Sequence, residues 1–150
     1  MHVAQVNVAR LLAPLDSPQL ADFVAWLEPI NRLADSSPGF VWRLQTADGD
    51  ATGLRPFDDD WLIINMSVWE SVDALDAYVY RSGHAQVFRR RREWFERLGE
   101  AHLALWWVAV GHRPGLDEAK ERLELLRTQG ATDAAFTLRQ RYPPPMESAA

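Results

Sequence analysis

Trp61-Leu-Ile-Ile-Asn-Met-Ser-Val-Trp69 is the stretch that decides the fold. Successive side chains of a strand point to opposite faces, so Leu62, Ile64, Met66 and Val68 share one face, and Trp61, Ile63, Asn65, Ser67 and Trp69 the other. Large apolar groups dominate both, as in a strand covered on two sides, and an amide and a hydroxyl are set into one of them. The stretch from Leu103 to Val110, which includes Trp106 and Trp107, has the same character. Between these two strands a helix is expected. Ser71 is its N-cap, Asp73 lies in its first turn, and Val72, Leu75, Tyr78 and Val79 form its apolar stripe. Gly83 weakens that helix just before His84, and a second segment from about Ala85 to Leu98 buries Val87, Phe88, Trp94 and Phe95.

Upstream, Val3 to Arg10 reads as a strand with Ala4, Val6 and Val8 on one face and Gln5 and Asn7 on the other. Ser17-Pro18 is an N-cap followed by proline at the first helical position, and Leu20, Phe23, Val24 and Leu27 keep helical spacing. Pro29 lacks an N–H and predicts a kink, with a shorter part to about Leu33, and Ser36-Ser-Pro-Gly39 ends the helix. Phe40 to Gln45 is a strand. Thr46 to Asp60 reads as a long surface loop, whose Asp48, Asp50 and Asp58 to Asp60 lack the ordered spacing and closing Glu of a calcium loop. Downstream, Leu116 to Gln129 reads as a helix stopped by Gly130, Ala134 to Arg141 as a short extended segment, and 146–150 as a disordered tail after the prolines. Residues 1–145 are expected to form a single domain.

Composition narrows the function classes. With 47% hydrophobic residues and seven Trp the chain folds around a core rather than remaining disordered. It has no Cys, which excludes disulfides and thiolate chemistry and agrees with a cytoplasmic setting. No apolar run reaches membrane-span length, and the net charge of −5 disfavours nucleic acid as a partner. A small molecule or a second copy of the chain is the expected partner.

The core order of strand, helix, strand, strand, helix, strand is the ferredoxin-like arrangement: an α+β fold with an antiparallel sheet, both helices on one face, and here an added C-terminal helix. The other face is then open and apolar, which leads to the expectation of a homodimer that buries it. The pieces Gln5-Val-Asn7, Ser37-Pro-Gly-Phe-Val-Trp-Arg43, Asn65-Met-Ser-Val-Trp-Glu-Ser71, Tyr80-Arg-Ser-Gly-His84, Arg89 to Phe95 and Leu105-Trp-Trp107 resemble the domain of unknown function 3291 family. That resemblance implies a dimeric α+β barrel, in a group that includes antibiotic-biosynthesis monooxygenases, haem-degrading monooxygenases and small isomerases. The haem-degrading members use an Asn on the first strand and a Trp and a His on the helix after the third. Asn7 matches the first, Tyr78 stands at the Trp position, and Phe88 stands where their His falls, about a turn beyond His84.

The candidate site lies between sheet and helices, where the resemblance places ligands. Asn7, Asn65 and Ser67 are its polar groups, Trp69, Tyr78 and Trp106 its walls, and His84 its candidate general base. His84 opens a helical segment whose positive dipole end favours the neutral imidazole. Each residue also has a structural reading: the amides bonding across strands, the aromatics as ordinary core, His84 as a cap. Arg89 to Arg92 occupy all sides of a helix and read as a solvated run paired with Glu93 and Glu96, with one arginine free to turn inward to a carboxylate. His2, His102 and His112 have no metal-ligand spacing, and no metal site is assigned. The expected function is binding of a small, largely apolar or aromatic molecule, with cofactor-free monooxygenase or isomerase chemistry as its catalytic form. A non-catalytic binding or regulatory barrel, or a haem-binding protein, is the alternative.

Overall fold

The computed structural model describes residues 1–45 and 61–145. The acidic loop expected at 46–60 and the tail at 146–150 lie outside the described residues. The elements are β1 (His2–Arg10), α1 (Ala21–Asp35), β2 (Phe40–Arg43), β3 (Leu62–Trp69), α2 (Val72–Arg81), α3 (His84–Arg89), α4 (Arg91–Trp94), β4 (Leu103–Val108) and α5 (Leu116–Gln129). The four strands form one antiparallel sheet in the order β2-β3-β1-β4, the α+β arrangement expected from the element order.

Register fixes which residues share a face. Gln5 lies between Ser67 and Leu105, Asn7 between Asn65 and Leu103, and Val3 between Trp69 and Trp107. On this face Val3, Trp69 and Leu105 are buried with Val72 and Leu75 of α2 and Ala34 of α1. On the opposite face Ala4, Val6, Val8, Ile64, Met66, Val68, Ala104, Trp106 and Val108 are buried in one cluster with Ala119, Leu123 and Leu126 of α5.

That cluster corrects the expectation of an open second face. Ala119, Leu123 and Leu126 recur at i, i+4 and i+7, the spacing of one helix stripe, and this stripe covers the sheet from within the chain. Trp42 and Leu44 pack against the same cluster from the β2 side. Gly130 ends α5 with φ +72, a left-handed turn that glycine adopts without steric cost. The chain then returns to bridge Phe136 to Leu105, each N–H donating to the other's carbonyl at 2.8 Å. The segment expected at Ala134 to Arg141 is therefore bridged only at Ala135, which pairs with Thr132, and at Phe136, which lies along the outer edge of β4.

Four local expectations change. Pro29 is carried inside a single continuous α1, and the helix runs to Asp35 rather than Leu33. Ser17 does not cap its helix; its hydroxyl donates to the Pro14 carbonyl, and the first turn, Pro18–Leu20, is a 3-10 turn. Val24 is exposed, whereas Leu20 and Phe23 are buried. The segment after Gly83 is not one helix to Leu98 but α3 and α4, and it ends at Trp94, because Phe95 turns extended and pairs with Leu11. That pairing gives Phe95 an edge contact with Phe23, with ring centroids 5.0 Å apart.

Ser71 caps α2 as expected, its hydroxyl accepting from the Ala74 N–H at 3.1 Å. The turn entering β2 needs glycine for two reasons. Gly39 has φ +82, and a Cβ there would lie 2.5 Å from the Cβ of Ala74. This close crossing locks the start of β2 onto the first turn of α2, and so holds α2 over the sheet.

Candidate functional site

Between the sheet and the helices α1, α2 and α3 lies a cavity of about 480 Å³. Its floor is the central strand pair, which presents Gln5, Asn7, Asn65 and Ser67. The Gln5 amide donates to Asn65 Oδ1 at 2.7 Å and to Ser67 Oγ at 2.8 Å, and the Trp69 indole N–H donates to the same hydroxyl at 2.8 Å. Indole can only donate, so Ser67 must accept, and with both lone pairs taken its one proton is left to donate. The Asn7 side chain and the Asn65 NH2 have no hydrogen-bond partner among the described residues. Asn65 is solvent-exposed although it sits in the middle of an interior strand.

One wall is an aromatic column. Phe40 meets Trp69 edge-on at 5.5 Å, Trp69 stacks on Tyr78 at 5.1 Å, Tyr78 lies 4.9 Å from His84, and His84 stacks towards Phe88 at 6.4 Å. The Tyr78 hydroxyl donates to the Ile30 carbonyl at 3.2 Å, tying the column to α1. Burial, first of all, pushes the Tyr78 phenol well above its ordinary range, so it stays a neutral donor. The facing wall is α1, with Phe23, Trp26, Leu27 and Ile30 on the cavity.

His84 sits at the first position of α3, after the break at Ser82 and Gly83. Its Nδ1 lies 3.3 Å from the Val79 carbonyl, which can only accept. Burial lowers its pKa from 6.5, against the smaller opposing effect of that carbonyl. The ring is therefore neutral at neutral pH, with its proton on Nδ1 and Nε2 left as an acceptor. The neutral form was expected from the dipole at a helix start; burial is the cause found.

Because the folded pKa is below the unfolded one, the unfolded chain takes up the proton first as pH falls. Stability is complete above about pH 6.5 and is lost as pH drops through the folded value. His102 is displaced in the same direction, by burial and then by Arg92 and Arg91. His84→Gln is expected to weaken the fall in thermal midpoint between about pH 7 and pH 5, leaving the His102 share. An unchanged slope would contradict the neutral assignment.

Of the residues expected at the site, Asn7, Asn65, Ser67, Trp69, Tyr78 and His84 are brought together around the cavity. Trp106 is not. It lies on the opposite face beneath α5, fully buried, and its indole donates to Glu118 at 2.8 Å. Glu118 also meets His112 at 2.8 Å. The arginine run differs as well. Arg90 pairs with Glu93 at 2.7 Å and with Asp22 at 2.8 Å, and Glu96 pairs with Arg10 at 3.1 Å. Arg91 and Arg92 line the cavity with His102. They follow the break between α3 and α4 at Arg90, and a helical wheel drawn through an unbroken segment does not reveal their place. Trp26 was legible, since Phe23, Trp26 and Ile30 follow helical spacing.

Among the described residues no group of three or more His, Cys, Asp or Glu is placed to hold a metal ion. No helix among them is long and apolar enough to cross a membrane.

Residues 2–150 match the model of the family described as Domain of unknown function (DUF3291), and the chain belongs to that family. A search of curated proteins finds no match. Among solved structures, Rv0793 from Mycobacterium tuberculosis is similar at 18% identity, with a TM-score of 0.45, over 73% of this chain and 94% of that one.

Proposed function

We propose that this member of the domain of unknown function 3291 family binds a small, flat, largely apolar molecule in the cavity above Gln5, Asn7, Asn65 and Ser67, and that His84 acts there as a general base. The observation that carries the reading is the floor. Two amides on paired central strands, Asn7 and Asn65, face a cavity of about 480 Å³ without satisfying each other. Asn7 is half-buried, where polar groups normally find partners, and the exposed Asn65 opens towards the same space. A ligand would accept from the Asn65 NH2 and the Ser67 hydroxyl while its apolar body lies between Trp26 and the Tyr78–His84 wall. The neutral, Nδ1-protonated His84 has the lone pair that proton abstraction requires. This is consistent with the cofactor-free monooxygenase or isomerase chemistry that the family resemblance suggests.

The finer assignment, a dimeric α+β barrel, rests on that resemblance alone, because α5 already meets the apolar demand of the second sheet face. Haem fits the donors poorly. Phe88 stands at the position the resemblance gives to a His and has no lone pair, and a haem titration that leaves the Soret band unmoved removes this occupant. The alternative of a filled, non-catalytic barrel is disfavoured by the open space beside His84.

Asn65→Trp tests the reading by filling the cavity from its floor. It is expected to abolish uptake of a neutral aromatic probe, 2-naphthamide, while the thermal midpoint stays within a few degrees, since Asn65 is exposed. Uptake that survives in the folded variant would place the binding elsewhere. For the catalytic half, His84→Gln is expected to retain probe binding and to lose turnover by about 100-fold or more once a substrate is in hand.

A further inference from the structure

We infer that the ligand of this cavity carries a carboxylate, held at the rim by Arg91 and Arg92, so that the site takes an aromatic acid rather than a neutral aromatic. The inference rests on the cavity reading above and adds the substrate class to it. The chain as a whole is acidic, with a net charge of −5, yet this rim is cationic. Arg91, Arg92 and His102 line one side of the cavity. Each nearby carboxylate already has an arginine: Glu93 pairs with Arg90 at 2.7 Å, Glu96, which also lines the cavity, with Arg10 at 3.1 Å, and Glu100 with Arg127 at 3.4 Å.

Arg91 is held in place without an acid. Its Nη1 donates to the Phe88 carbonyl at 2.9 Å and its guanidinium lies 4.0 Å over the Phe88 ring. That leaves most of its fork unpaired beside an aromatic wall. Arg92 has no hydrogen-bonded or ion-paired partner among the described residues. Arg97 and Arg91 are close enough to Arg92 for mutual repulsion to be felt, which costs free energy until an anion arrives. A planar carboxylate matches the guanidinium fork, and an aromatic body attached to it would reach inward past Phe88 to His84 and the amide floor. The arrangement orders the ligand with its acid at the mouth and its reacting carbon near the base.

The test is a calorimetric titration of the full chain with two probes of one shape, 2-naphthoate and 2-naphthamide. The acid is expected to bind about tenfold more tightly than the amide at low salt, and the preference should shrink as salt is raised. In the Arg91→Gln, Arg92→Gln double variant the two probes should bind within about twofold of each other. Should the double variant misfold, Arg92→Gln alone, which breaks no hydrogen bond or ion pair among the described residues, is expected to remove part of the preference. Equal affinities in the parent protein, or a preference that survives the variants, would overturn the inference and leave the cavity reading standing. Failure of both probes to bind would overturn the two together.

Discussion

Leu123→Asp is expected to leave the protein unfolded or insoluble. Leu123 is 1% exposed and sits in the cluster that joins α5 to the sheet face carrying Val6, Met66 and Trp106. Removing its side chain alone costs about 2–5 kcal/mol. Placing a carboxylate there adds several kcal/mol more, through desolvation or forced protonation. The sum is comparable with the roughly 5–15 kcal/mol that holds a typical domain together. Glu121 and Glu124 occupy exposed positions of the same helix, and their replacement by Gln should change stability by no more than about 0.5 kcal/mol. Circular dichroism and solubility check both halves. A folded, soluble Leu123→Asp would mean that α5 can leave the sheet, and a second copy would again be needed to cover it.

Trp69→Ala is expected to cost about 3–5 kcal/mol, read as a lower urea midpoint with an unchanged slope. Trp69 is fully buried at the base of the aromatic column, between Phe40 and Tyr78, and its indole donates to Ser67. Its loss removes the surface on which Tyr78 rests, and through Tyr78 the support of His84, so probe affinity should fall with stability. Trp69→Phe keeps most of the packing and loses the indole donor, for which about 1–2 kcal/mol is expected. If the alanine variant kept both stability and probe binding, the column would not be what positions His84.

The two variants also mark what the chain reveals by itself. Strand β3 could be split into faces because Asn65 and Ser67 label one of them. Strand β4 carries no such label: Leu103, Leu105 and Trp107 are as apolar as Ala104, Trp106 and Val108. Only the pairing of Leu105 with Gln5 settles which set faces the cavity, and this is why Trp106 was expected on the wrong side. The stripe Ala119, Leu123, Leu126 was legible as a helix face, but its destination was not, since periodicity says that a face is buried and not against what. Arg91 and Arg92 belong to a segment broken at Arg90 and stopped at Trp94 by the bridge from Phe95 to Leu11, a tertiary event. Local spacing carries no trace of it. The break at Gly83 was legible because glycine marks it in the sequence, and His84 followed directly from that.

The central claim is that the amide floor of the cavity is a ligand site. The most direct measurement is a two-dimensional NMR titration of isotope-labelled protein with 2-naphthamide, following the side-chain NH2 signals of Gln5, Asn7 and Asn65 and the indole signals of Trp69 and Trp106. Shifts in the three amides and in Trp69 that saturate together, with Trp106 still beneath α5, are the predicted result. Shifts confined to Trp106 and the α5 face, or no shift in Asn7 and Asn65 at saturating probe, would contradict it.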